Sequence, residues 1–338
     1  AAGKQLLLAR SGLDVFYEKS KLAHLIVINA PAGYGKSTLL KSWVERYSKD
    51  EGFVVGLCFS DVYNSPLYLI AELVGLMSSA THSFESKVAE IIQESGGDIS
   101  DDSVLSSLVD RLVGDFSNIT EPGAIFIDDF QKVDNPFVHQ VINKIIKHLP
   151  AYVRCFVAAR GTPSLPLAKY RAKGQLLEVG VDELSLNLEE SEVLLNNVYQ
   201  LSLPMELVST LQNKTDGWIS GLSLAAVSMP VEQGKRSHYV QHFSGEAALV
   251  SHYFFEQVLF PLSKETQTLL KKISVTEKVC GDLVNTLAGR NDGQEVLEQL
   301  EHQQIFVFPL DRQRKWYKLA PLLAESLRSR LAQESENA

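Results

Sequence analysis

At 338 residues the chain is longer than one hydrophobic core usually supports, so two or three domains are expected. A hydrophobic share of 45% beside 22% charged residues is an ordinary soluble globular composition, and no apolar stretch approaches the roughly 20 residues that a membrane-spanning helix needs. The formal net charge of −9 argues against a non-specific grip on nucleic acid.

The first residues, "AAGKQLLLAR", have neither an initiator Met nor a signal-peptide layout and read as the start of a cut fragment. Five short apolar runs then follow the pattern of buried parallel strands, at 25–29, 53–60, 124–128, 154–159 and 176–181. Helical periodicity fills the gaps at 36–47, 66–80, 103–116 and 136–148. The last of these is marked by Asp134 or Asn135 as N-cap and by Pro136 in its first turn. Strands alternating with helices predict a parallel α/β sheet, which ends near residue 182. Cys58, Cys155 and Cys280 lie far apart without metal-ligand spacing, so they read as reduced core thiols of a cytosolic protein.

Beyond 182 the pattern turns helical. A helix over 187–199 opens on Asn187, with Glu189 and Glu190 favouring its dipole, and further helices cover 204–215 and 219–229. "PVEQGKRSH" (230–238) breaks the pattern and reads as a linker. Helices are then expected near 246–260, 263–274, 279–289 and 293–302, before two short extended runs around the polar turn of "QIFVFPLDRQRKWYKL" and a closing helix at 321–333. Three helices followed by a hairpin suggest a winged helix. The expected division is therefore an α/β domain over 1–182, a helical domain with linker over 183–238, and a winged-helix domain over 239–338.

The chemistry begins at "LIVINAPAGYGKSTLLKSWVERY". A strand, a Gly-rich turn and a helix in that order are the context a phosphate-binding loop requires. Such a loop needs successive backbone N–H groups pointing into one concavity at a helix N-terminus. Gly33 and Gly35 supply the backbone freedom; Lys36 suits the β- and γ-phosphates of a nucleotide, and the Ser37 hydroxyl suits Mg²⁺. The nucleotide contact is assigned to Ala30, Pro31, Ala32, Gly33, Tyr34, Gly35, Lys36, Ser37 and Thr38. Ala30 stands where the usual first glycine would be, which a residue of negative φ tolerates. The ligands implied are ATP or ADP with Mg²⁺.

"AIFIDDF" is an apolar strand ending in two carboxylates. Asp128 takes the position that orients Mg²⁺, and Asp129 is the candidate general base for an attacking water, unless it merely ends the strand or bonds the following turn. Arg160 closes the next strand, and ligands of open parallel sheets collect beyond the carboxyl ends of strands. Its guanidinium reads either as a γ-phosphate contact or as a solvated strand end.

Taken together, "INAPAGYGKSTLLKSWV", "IFIDDFQKVDNP", "VAARGTPSLPLAKYRAKGQLLEV", "TDGWISGLSLAA" and "WYKLAPLLAESLRSRL" resemble the STAND-class signal-transduction ATPases, in particular the N-terminal half of MalT-like, large LuxR-family transcriptional activators. The resemblance runs from about residue 10 to 332. It implies a P-loop nucleotide-binding domain, a helical domain and a winged helix, with Lys36 and Ser37 on phosphate and Mg²⁺, Asp128 and Asp129 as the acidic pair, and Arg160 as nucleotide sensor. It further implies a helical-domain contact to nucleotide near Gly217 and Trp218, and an N-terminal one near Arg10. Two departures stand out. The family's closing motif usually places a phosphate-binding His before Pro321, where this chain has Ala320; Lys318 lies two positions upstream. The segment after the second strand, holding Asp61 and Asn64, is shorter than in its relatives.

The expected function is a cytoplasmic on/off switch: ADP-bound and closed, ATP-bound and self-associating, reset by slow Mg²⁺-dependent hydrolysis. An inducer and DNA would act through further C-terminal domains that the resemblance implies. The alternatives are a constitutive AAA+-like motor, with Arg111, Arg154 or Arg171 as a finger toward a neighbour, and a nucleotide-binding scaffold that does not hydrolyse.

Overall fold

The five apolar runs assemble into one parallel sheet. The computed structural model describes residues 10–49, 52–94 and 102–336, so most of the opening "AAGKQLLLAR" lies outside the described residues. The strands are β1 (Leu25–Asn29), β2 (Phe53–Cys58), β3 (Gly123–Asp128), β4 (Val153–Ala159) and β5 (Leu176–Val179), in the spatial order β2-β3-β4-β1-β5. β4 therefore separates β1 from β3. Asn29 lies opposite Ala159, and Ile127 opposite Val157, so the carboxyl ends of these three strands fall side by side.

Helices cover both faces, as a parallel sheet buried on both sides demands. On one face α3 (Pro66–Ala80), α5 (Asp102–Ser117) and α6 (Pro136–His148) bring Leu73, Leu112 and Ile142 into the same core as Val55, Ile127 and Val157. On the other, α2 (Lys36–Tyr47) sets Trp43 edge-on to Phe156 and Tyr47 edge-on to Phe126. An unanticipated helix, α1 (Ser11–Ser20), packs on α2: Tyr17 is fully buried and Arg46 sits 3.8 Å over its ring while pairing with Asp14. α4 (Val88–Glu94) and α7 (Leu167–Ala172) are short. Asn135, not Asp134, caps α6; its side chain accepts from the Phe137 amide. Asn64 accepts from the amides of Asp134 and Asn135, which gives that residue a structural task at the entry to α6.

Two compact units result. One holds Ser11–Asn29 and Lys36–Gly180; the other holds Arg10, Ala30–Gly35 and the chain from Val181. The second unit contains α8 (Val181–Leu184), α9 (Leu188–Glu192), α10 (Met205–Thr215) and α11 (Ile219–Val227). Asn187 and Glu190 form a capping box at the start of α9, and the helix expected over 187–199 continues as a π-helical turn at Val193–Val198. The expected linker at 230–238 needs correction, since α12 (Gln233–His242) occupies much of it. Pro230 and Gly234 hide that helix from a pattern reading. Val240 nonetheless buries fully, and the Arg236 guanidinium donates to the carbonyls of Leu201, Pro230 and Val231.

α13 (Ala248–Phe254) also passes into a π-helical turn, Phe255–Leu259. α14 (Lys264–Ile273), α15 (Gly281–Ala288) and α16 (Gly293–His302) precede an antiparallel hairpin of β6 (Val307–Pro309) and β7 (Tyr317–Leu319), and α17 (Pro321–Glu336) closes the chain. That is the expected winged helix. All three cysteines are free, but Cys58 is exposed at the end of β2 and so is not a core thiol; Cys155 is. Among the described residues no helix is long and apolar enough to cross a membrane.

Candidate functional site

The phosphate-type loop follows β1 directly. Gly33 and Gly35 adopt φ of +81° and +80°, the left-handed region where a side chain is strained. A Cβ on Gly33 would stand 2.4 Å from Ser220 Oγ, so space as well as φ excludes larger residues there. Ala30 is fully buried and is not among the residues of positive φ, which explains why alanine serves in place of the first glycine.

Two carbonyls of this loop are tied down. Trp218 Nε1 donates to Ala32 O at 3.0 Å, and the Ser220 amide donates to Gly33 O at 3.1 Å. Ser220 is the second residue of α11, whose first-turn N–H groups have no partner within the helix. The loop carbonyl thus caps the helix. Trp218 is 2% exposed, stacks on Phe254 at 5.1 Å and meets Phe306 edge-on at 5.3 Å. Tyr34, from the loop itself, joins this cluster 6.1 Å from Phe306, and burial raises its hydroxyl pKa well beyond the ordinary tyrosine value, with Asp216 and Asp182 adding to the effect.

Gly217 has a conformational reason to be glycine. Its φ is +70°, and a Cβ there would fall 2.4 Å from the Leu186 carbonyl oxygen, while the Gly217 carbonyl accepts from the Leu186 amide at 2.9 Å. Asp216 before it, also left-handed, pairs with Lys318 Nζ at 2.9 Å. Lys318, two positions upstream of Ala320, is thereby joined to the turn that carries Trp218. Ala320 is buried and bonds Phe306 O through its amide.

Arg10 is consumed by structure. Its guanidinium donates to the carbonyls of Glu183, Leu184 and Ser185 at the end of α8 and to both carboxylate oxygens of Glu190.

In the other unit, Lys36 opens α2 and is only 8% exposed. Burial, followed by the nearby Arg160 charge, pushes its pKa down to about 8; Asp128 and Asp129 oppose that fall without cancelling it. A buried lysine so disfavoured as a cation is a group that gains from an incoming anion. Ser37 and Thr38 are exposed at the same helix start. Asn29, the last residue of β1, has a buried Oδ1 with no hydrogen-bond partner, and no sequence signal marked it.

At the end of β3, Asp128 accepts from the Asp129 amide at 2.8 Å, and Asp129 sits at φ 55°. Asp129 Oδ1 accepts from Gln131 Nε2 at 2.8 Å while its Oδ2 lies 2.6 Å from Lys132 Nζ. Gln131 Oε1 accepts from the Arg160 amide at 2.7 Å. The acidic pair and the arginine are therefore brought together, through a glutamine that sequence reasoning missed. Hydrogen bonds from Lys132 and Gln131 outweigh the effect of burial and hold the Asp129 carboxyl below the usual carboxylate range. Of the candidate arginine fingers, Arg154 is held by the Lys21 carbonyl and Arg171 pairs with Glu178.

These residues suit a polyphosphate with a divalent cation. Lys36 is buried with its charge disfavoured, and the Ser37 hydroxyl and the Asp128 carboxylate are available as hard oxygen ligands.

The chain is similar to several known proteins. Residues 255–338 match the MalT winged helix domain family. The chain is 28% identical over 96% of its length to serine/threonine-protein kinase PknK of Mycobacterium tuberculosis, and 28% identical over 90% to the HTH-type transcriptional regulator MalT of Yersinia pestis. It spans 29% and 33% of those relatives, about a third of their length. Among solved structures, the Walker-type ATPase PABY2304 of Pyrococcus abyssi matches with a TM-score of 0.58 at 14% identity, covering 96% of this chain and 97% of that one. The resemblance to MalT-like regulators and the expected fold class are both borne out.

Proposed function

Since residues 255–338 form a winged helix of the MalT type, we propose that the chain is the ATP- and ADP-binding switch module of a signal-transducing transcriptional regulator. It fits a STAND-class, LuxR-type protein that acts in the cytoplasm. One observation carries this reading: the carbonyls of Ala32 and Gly33 are bonded to Trp218 Nε1 and the Ser220 amide. A loop that grips phosphate through its N–H groups while α11 holds its carbonyls transmits a change of nucleotide into the helical segment. From there the Trp218–Phe254–Phe306 stack leads into the winged helix.

In this reading the segment from Ala30 to Thr38 holds the nucleotide, with Lys36 on the β- and γ-phosphates. Mg²⁺, held by Ser37 and Asp128, supplies charge neutralisation at the phosphates. Asp129 accepts the proton of the attacking water, and Arg160 registers the γ-phosphate. ADP favours the closed form and ATP an open, self-associating one; hydrolysis resets the switch and need only be slow. The proposed division remains a nucleotide-binding domain over 1–182, a helical domain over 183–238 and a winged-helix domain over 239–338. Inducer and DNA would engage further parts of a longer protein. The main-chain ties of Arg154 and the Glu178 pairing of Arg171 engage two of the three candidate fingers of the constitutive-motor alternative, while Arg111 is exposed.

The test is nucleotide titration of wild-type protein and Lys36→Ala, together with gel filtration in ADP and in a non-hydrolysable ATP analogue. Binding lost in Lys36→Ala and a larger species only with the ATP analogue support the switch. Equal binding by the variant removes the site, and one size in both nucleotides removes the self-association.

A further inference from the structure

The end of β3 carries an arrangement that the proposed roles of Asp128 and Asp129 leave unused. Both carboxylate oxygens of Asp129 are occupied, Oδ1 by the Gln131 amide at 2.8 Å and Oδ2 by the Lys132 ammonium at 2.6 Å. Gln131 is fixed in turn, because its Oε1 accepts the Arg160 amide at 2.7 Å. A side-chain amide with its NH₂ on a carboxylate and its oxygen on a backbone N–H satisfies both partners in one orientation only. The two arms differ in exposure. Gln131 is half-buried and anchored on the main chain of the next strand, whereas the Lys132 side chain is 46% exposed against 23% for Asp129.

We propose that Gln131 and Lys132 are positioning residues for hydrolysis: Gln131 aims the Asp129 carboxylate through one oxygen, and Lys132, paired with the other, weakens it as the acceptor of the proton from water and so acts as a brake on turnover. The inference rests on the reading of Asp129 as the base. In the step concerned, water gives a proton to Asp129 Oδ2 and its oxygen lone pair forms the bond to the γ-phosphorus. The bond from that phosphorus to the β,γ-bridging oxygen breaks, and its electron pair leaves with ADP. While the Lys132 ammonium donates into Oδ2, it stabilises the charge on that oxygen and weakens it as a proton acceptor. Lys132 belongs to a short 3₁₀ turn, Phe130–Lys132, with its head group toward solvent, so it swings away at little cost. Gln131 has no such freedom. The brake is therefore weak and reversible, and the aim of the carboxylate survives its release.

Single-turnover ATP hydrolysis and ATP affinity are to be measured for Lys132→Met, Lys132→Arg, Gln131→Leu and Asp129→Asn. Lys132→Met is expected to raise the hydrolysis rate about two- to fivefold, the range an exposed ion pair can impose, with affinity unchanged. Lys132→Arg restores the wild-type rate. Gln131→Leu lowers the rate about tenfold or more at unchanged affinity, as misaiming a reacting group does. A readout apart from activity is amine-selective acylation of Lys132, followed by mass spectrometry, which is expected to run faster in Asp129→Asn than in the wild type. Equal acylation rates overturn the pairing. If Asp129→Asn abolishes hydrolysis while Lys132→Met fails to raise it, the brake is overturned and the base stands. If Asp129→Asn hydrolyses at the wild-type rate, both readings fall.

Discussion

Replacing Lys36 by Met is expected to stabilise the nucleotide-free protein while destroying its nucleotide binding. Lys36 is 8% exposed and its pKa is pushed down to about 8 by burial and by Arg160. Against the ordinary lysine value near 10.4, a pKa held that low corresponds to about 3 kcal/mol of disfavoured charge at neutral pH. Methionine keeps an unbranched apolar stem in the same space and removes the charge. Lost polar contacts and imperfect packing take back part of that gain, so a stabilisation of about 1–3 kcal/mol is expected, or about 3–8 °C in melting temperature. The pH dependence has a definite sign. In the folded state Lys36 releases its proton near pH 8, while in the unfolded chain it does so near 10.4, so wild-type stability gains from this residue as pH rises through that interval. Lys36→Met lacks that gain. The assay is thermal unfolding of nucleotide-stripped protein from pH 7 to 10, repeated with excess ATP. A variant that melts below the wild type at pH 7 and shows the same pH slope refutes the claim that the site is electrostatically poised for an anion.

Nucleotide binding at pH 8 is expected to take up about half a proton as Lys36 becomes fully charged, visible in calorimetry across buffers of different ionisation enthalpy; no uptake contradicts a polyphosphate beside Lys36. Trp218→Phe keeps the stack on Phe254 but loses the bond to Ala32, and nucleotide exchange is expected to speed up about fivefold, the worth of one buried hydrogen bond near 1 kcal/mol. Unchanged exchange of a fluorescent nucleotide argues against the loop grip. Gly217→Ala forces a Cβ against the Leu186 carbonyl at φ +70° and is expected to cost at least about 2 kcal/mol in urea unfolding, with a neutral result telling against that turn geometry. Lys318→Met removes a partly exposed ion pair, so stability is expected to shift by no more than about 1 kcal/mol; a larger loss means that the Asp216 contact does more than a surface pair.

Much of the first unit was legible because its signals are local. "LIVIN" and "AIFID" are short, uniformly apolar runs, and a strand buried on both faces has no other way to read. "AGYGKS", divided between the two units after Gly35, carries its own requirements for φ and charge. The second unit hid more. Gln233–His242 is a helix whose Pro and Gly neighbours read as a break, and its anchoring by Arg236 to three carbonyls is a tertiary matter. α1 shows a short apolar stripe that only its packing on Tyr47 and Trp43 makes a helix face.

The site divides in the same way. Lys36, Asp128, Asp129 and Arg160 were singled out because strand ends and a glycine-rich turn announce them. Trp218 gave no hint of bonding a loop 186 residues away, and Gln131 looked like any polar residue after a turn. Arg10, expected near the nucleotide, is absorbed by Glu190 and three carbonyls that no spacing rule connects to it.

The coupling of nucleotide to fold is tested most directly at one amide. Ser220 N–H donates to Gly33 O at 3.1 Å, so its hydrogen exchange reports whether α11 holds the phosphate loop. Protection of that amide with ADP bound and its loss with a non-hydrolysable ATP analogue is the result expected of the switch. Equal protection with both nucleotides contradicts it.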